Sequence, residues 1–108
     1  AEFIALPDLK DGSMDLAPLM RHLACEHDAA TVLVEGGCGL MSHLFAQHLV
    51  NEAWVFTAPL LLGDAAATSP ITGRHVSEIS GGIPLRLMDS RRRGSDMVSR
   101  YRLVATER

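Results

Sequence analysis

The chain has 108 residues, of which 47% are hydrophobic and 21% charged, with a formal net charge of −3. That length supports one domain or less, burying only about 60–65% of its unfolded surface, and the acidic balance argues against nucleic-acid or anionic-lipid binding. No apolar run approaches the roughly 18–20 residues of a membrane span and no signal peptide is visible, so the expectation is a cytoplasmic protein with no membrane partner.

The sequence opens on Ala1 and not on Met, which reads as a processed or shortened chain. Glu2-Phe3-Ile4-Ala5-Leu6 predicts a short strand, stopped by Pro7 and the polar loop from Asp8 to Ser13. Asp15 is a suitable N-cap, and Pro18 falls in a first helical turn, where a missing N–H does no harm. Leu16, Leu19, Met20, Leu23 and Ala24 recur at helical spacing, predicting a helix from Asp15 to about Glu26. Thr31-Val32-Leu33-Val34 then reads as a strand buried on both faces.

That run ends in Glu35-Gly36-Gly37-Cys38-Gly39, after which Leu40, Met41, Leu44, Phe45 and Leu49 start a second amphipathic stripe. Glu52 to Ala58 predicts a third strand, ended by Pro59. The order βαβαβ implies parallel strands joined by right-handed crossovers. Gly63 to Gly82 is poor in periodicity and predicts a long loop with room for one helical turn. Ile83–Ser90 carries Ile83, Leu85 and Leu87 on one face. Met97–Val104 carries Met97, Tyr101 and Leu103 on one face and Arg100 and Arg102 on the other. With Arg91–Ser95 as the turn, these segments predict an antiparallel hairpin. The expected fold is α/β, a mixed, mainly parallel sheet with flanking helices and a C-terminal antiparallel hairpin.

A strand–glycine turn–helix junction lets the backbone approach a phosphate closely, since glycine lacks Cβ and tolerates φ > 0. It also offers an anion the free N–H groups of a helix start. The plainer alternative is an ordinary tight turn. The dinucleotide fingerprint is incomplete, because Ser42 stands where Gly37-Cys38-Gly39-Leu40-Met41-Ser42 would need a third glycine. A phosphate-binding P-loop fails outright, since no Lys-Ser/Thr follows the glycines.

Glu35, at the carboxyl end of a strand, is placed to accept hydrogen bonds from ligand hydroxyls; the alternative is a carboxylate that caps the glycine turn. The pairs His22/His27 and His43/His48 are each five residues apart. That spacing rotates the side chains about 140° on a helix, so neither pair is expected to chelate one metal, and no metal site is anticipated. Arg91-Arg92-Arg93 reads as a solvated hairpin tip. Cys25 and Cys38 form no disulfide framework.

The element order and its joints resemble the C-terminal reductase domain of the bifunctional riboflavin-biosynthesis deaminase–reductase. The resemblance rests on Leu33-Val34-Glu35-Gly36-Gly37, Leu49-Val50-Asn51-Glu52, Ala58-Pro59-Leu60-Leu61-Leu62-Gly63, and Gly94-Ser95-Asp96-Met97 through Tyr101-Arg102. Asn51 departs from the Asp usual in that family. The resemblance implies a dihydrofolate-reductase-like fold, with residues 1–108 as the C-terminal half of a reductase domain. It implies NADPH-dependent reduction of a 5-amino-6-(5-phosphoribosylamino)uracil-type substrate to its ribityl form, and a homo-oligomer. By the same resemblance Glu35 contacts substrate, and Gly37, Cys38, Gly39, Leu40, Met41, Ser42 and His43 hold the NADPH phosphates. No side chain stands out as the proton donor, and the chain alone is expected to be inactive. Two competing readings are a related NAD(P)H reductase with another substrate and a non-catalytic folding or dimerisation module.

Overall fold

Residues 1–104 are described by the computed structural model, and they divide into two units. The first comprises Ala1–Leu49 with Thr68–Gly73, and the second comprises Val50–Ala67 with the chain from Arg74 onward.

In the first unit, helix α1 (Ala17–Glu26) starts with Pro18 in its first turn, as expected. Its N-cap is Leu16, one residue past the expected Asp15, yet Asp15 Oδ1 still accepts the Ala17 N–H at 3.2 Å. The Gln47 side chain completes this start: Oε1 accepts the Leu16 N–H at 2.8 Å and Nε2 donates to the Met14 carbonyl at 2.8 Å. Helix α2 (Cys38–Ala46) begins directly after the paired glycines. It ends in a Schellman arrangement, with the His48 N–H on the Phe45 carbonyl at 3.1 Å and the Leu49 N–H on the Leu44 carbonyl at 3.0 Å. His48 holds a φ of 56° there, a conformation usually left to glycine. Leu16 and Leu44 are the buried hydrophobic residues of this unit.

Two expected strands are absent. Glu2–Leu6 and Thr31–Val34 form no ladder, and the pairing in this unit is an isolated bridge between Asp8 and Met14. Phe3 is 95% exposed and Leu33 78%. An apolar run supplies propensity, but a strand also needs a partner to take its N–H and C=O groups. The βαβαβ order therefore does not form, and the mainly parallel sheet is corrected.

The second unit holds strands β1 (Glu52–Thr57), β2 (Leu85–Arg93) and β3 (Asp96–Leu103) in the order β1-β3-β2, with both pairings antiparallel. The loop between β1 and β2 contains one 3₁₀ turn, Ile79–Gly81, matching the single helical turn anticipated. The hairpin is present but tighter than expected. Arg93 pairs with Asp96, leaving Gly94-Ser95 as a two-residue loop in which Gly94 has a φ of 59°. Glycine at that first position suits a type II′ turn, whose twist matches the strands. The arginine run is consequently part of β2, not the turn.

A register shift between Leu87 and Asp89 inserts Met88 as a bulge. Before it, Leu85 and Leu87 oppose Leu103 and Tyr101. After it, Asp89, Arg91 and Arg93 join the face of Arg100, Val98 and Asp96. The expected apolar face thus holds only up to the bulge. Val98 is the buried hydrophobic residue of this unit, while Phe56 and Leu87 remain 68% and 56% exposed.

Candidate functional site

Gly36 and Gly37 hold φ values of 71° and 83°, and both belong to the left-handed side that side chains avoid. Gly37 is the N-cap of α2, with φ 83° and ψ 105°, and no side chain caps that helix start. A Cβ built on Gly36, Gly37 or Gly39 meets nothing within 4 Å. The glycines therefore relieve no crowding inside the chain. They set the backbone path and leave the space their side chains would fill open at the start of α2, an arrangement that suits a close-approaching anion such as a pyrophosphate.

Glu35 is exposed, directly before these glycines, and its side chain forms no hydrogen bond among the described residues. It does not cap the turn, so its carboxylate is available to a ligand. Cys38, Gly39, Leu40, Met41, Ser42 and His43 follow along the first turns of α2. Leu40 and His43 are exposed, while Cys38, Met41 and Ser42 are half-buried. Ser42 is already engaged. Its hydroxyl donates to the Cys38 carbonyl at 2.5 Å and accepts the Thr72 N–H at 2.8 Å, fastening residues 68–73 to α2. That long-range contact joins residues thirty positions apart and has no local sequence signal.

The second unit carries a separate polar network. Arg100 donates to Asp89 Oδ2 from Nε at 3.1 Å and from Nη2 at 3.0 Å. Its Nη1 lies 3.6 Å from Glu52 Oε1, which also accepts the Trp54 indole N–H at 2.7 Å. The hydrogen bond to Asp89 foremost, with Glu52 adding, holds Arg100 above its ordinary pKa against the opposing effect of burial. Trp54, Asp89, Arg91, Arg93, Val98 and Arg100 line a shallow cavity of about 250 Å³. Arg91, Arg92 and Arg93 are exposed, as expected of a solvated run, although they sit in a strand.

The histidine geometry differs from the helical expectation. His27 is the C-cap of α1, at φ −122° and ψ 6°, and its ring lies beside that of His22. The two ring centroids lie 5.4 Å apart. His22 Nε2 is 2.6 Å and His27 Nε2 3.4 Å from the same oxygen, Glu2 Oε1. Hydrogen bonding from His22 first, then His27, lowers the Glu2 carboxyl below its usual range. No sequence spacing links Glu2 to either histidine, so this cluster was not anticipated.

Two helices, an antiparallel three-stranded sheet and a left-handed glycine turn opening a helix define an α/β protein. It belongs to the RibD C-terminal domain family, whose model matches residues 2–99. The chain is 28% identical over 92 residues to riboflavin biosynthesis protein RibD of Actinobacillus pleuropneumoniae, covering 85% of this chain and 24% of that protein. Two solved structures of Acinetobacter baumannii RibD share the fold, each with a TM-score of 0.77. Form 2 is 23% identical over 85% of this chain and 25% of that one; form 1 is 22% identical over 86% and 26%. The chain thus spans about a quarter of the length of these relatives. No helix of the described residues is long and apolar enough to cross a membrane.

Proposed function

We propose that this chain is the C-terminal half of a reductase domain in riboflavin biosynthesis. As part of a larger cytoplasmic, homo-oligomeric protein, it serves NADPH-dependent reduction of a 5-amino-6-(5-phosphoribosylamino)uracil-type substrate to its ribityl form. Family membership supports the reductase class. The observation that carries the site is the uncapped start of α2 behind Gly36 and Gly37, both at positive φ with open space above them.

In this reading the free amides at the start of α2, from Gly37 to Leu40, bind the cofactor phosphates and so fix where the dinucleotide lies, whereas the Met41 N–H is already given to the Gly37 carbonyl at 3.1 Å and Ser42 and His43 follow it into the helix ladder. When bound, NADPH supplies the hydride. Glu35 accepts hydrogen bonds from substrate hydroxyls, and that charge-assisted contact orients the sugar. Ser42 acts through Thr72 and the backbone of α2, holding the shape of the phosphate cradle without donating to it. The 108 residues alone are inactive in this reading, because the remainder of the pocket lies elsewhere in the protein.

The test is Glu35→Gln in the complete enzyme. It keeps the shape of the side chain but removes charge-assisted bonds of about 1.5–3 kcal/mol. The expected result is a fall in kcat/KM for the substrate, with NADPH affinity from fluorescence titration nearly unchanged. Equal loss of both would return Glu35 to a structural role.

A further inference from the structure

Glu2, His22 and His27 stand apart from the glycine turn and from Glu35. They come together where the Glu2 side chain reaches the last turns and C-cap of α1, which carry His22 and His27. One atom from each side chain falls within 4.8 Å of the other two. The side chains are 55%, 30% and 49% exposed, in the order Glu2, His22, His27, so each can rotate without unpacking a core.

Zinc with metal–ligand bonds of about 2.0–2.1 Å in tetrahedral geometry spaces its ligand atoms about 3.3 Å apart. The observed separations from Glu2 Oε1, 2.6 Å to His22 Nε2 and 3.4 Å to His27 Nε2, bracket that spacing. Small rotations would exchange the two hydrogen bonds for coordination. Two imidazoles and one carboxylate favour zinc, nickel or copper over magnesium or calcium, which prefer all-oxygen sites. Three protein ligands leave a fourth position for water.

We propose that Glu2, His22 and His27 form a surface site for a divalent transition metal ion of the zinc type, tying the N-terminal segment to the end of α1. The segment Glu2–Leu6 lies in no helix or strand among the described residues, so a metal bridge to a helix end adds a restraint that no ladder supplies there. Binding to the folded chain raises its stability by mass action. This assignment does not depend on the reductase reading, since the residues are distinct from Glu35 and the glycine turn.

The test uses the 108-residue chain stripped with EDTA and titrated with Zn(II) by calorimetry, and with Co(II) by visible absorption. One equivalent should bind, with a cobalt d–d spectrum and no thiolate-to-cobalt charge-transfer band, which separates this site from Cys25 and Cys38. Zn(II) should also raise the melting temperature. Glu2→Gln and His27→Gln should each weaken binding at least about tenfold, the loss that even an outer-shell change can cause, and should abolish the thermal shift. Both positions are exposed, so the variants should fold, and circular dichroism verifies that. Absence of stoichiometric binding, a thiolate band, or unchanged affinity in folded variants would overturn the assignment.

Discussion

Gly37 and Gly39 are two residues apart, and alanine at each should move stability in opposite directions. An added Cβ meets nothing within 4 Å at either position, so steric contact drops out of the comparison. Backbone conformation remains. Gly37 sits at φ 83° and ψ 105°, outside the regions open to L side chains, and holding alanine there costs about 1–3 kcal/mol. Gly39 lies inside α2 without a positive φ, where alanine gains up to about 1 kcal/mol in helix propensity. The gain is smaller than the full value because the residue is in the first turn. The two variants should therefore differ by about 2 kcal/mol. With a urea slope of about 1–3 kcal/mol/M, their midpoints should separate by roughly 1 M, with wild type between them. NADPH titration of the complete enzyme adds a second readout. Gly39→Ala should bind the cofactor more weakly despite its greater stability, because its methyl group fills space left open at the start of the helix. Midpoints that move together would refute the conformational reasoning. A stabilised Gly39→Ala with undiminished NADPH affinity would refute the phosphate role.

Ser42→Ala should lower stability by about 1 kcal/mol, since it removes two hydrogen bonds of about 0.5–1.5 kcal/mol each and regains only about 0.5 kcal/mol of helix propensity. It should clearly speed hydrogen exchange at the Thr72 amide, which loses its acceptor; unchanged exchange would free Ser42 for a direct role. His48→Gly should raise the unfolding free energy by about 0.5–1 kcal/mol, because glycine takes the φ of 56° without penalty, and urea unfolding measures it. The Asp11 carboxyl is lowered below its ordinary pKa by the Ser13 hydroxyl first and the Ser13 amide next. Its contribution to stability is thus present above the unfolded value of about 3.9 and is lost as pH falls through the folded value. A carboxyl-carbon NMR titration should place its midpoint below that of Asp11 in Ser13→Ala.

The local punctuation of the chain was legible from residues alone. Pro18 marked the start of α1, the paired glycines marked the start of α2, and Gly94-Ser95 lay within the expected hairpin turn. Each of these signals acts through one residue's own φ, its N–H or its missing Cβ, so it needs no distant partner. The order of glycines after Glu35 also indicated the candidate site, for the same reason.

What depended on partners could not be read in this way. Thr31–Val34 has strand composition, but its register and even its existence as a strand rest on another chain segment accepting its hydrogen bonds. The bulge at Met88 reverses the face of every later residue in β2, and no periodicity in that strand announces it. Ser42 meets Thr72, and Glu2 meets His22 and His27, only because the fold returns the chain to the same place. The histidine pair shows the distinction most clearly. Five residues apart on a helix the two rings are expected to point apart, yet Glu2, which no local spacing places there, meets both of them at a single carboxylate oxygen. Helix length is set by competition between local propensity and tertiary contacts, so the sequence determined which residues could cap and turn, while the tertiary structure decided which of them meet.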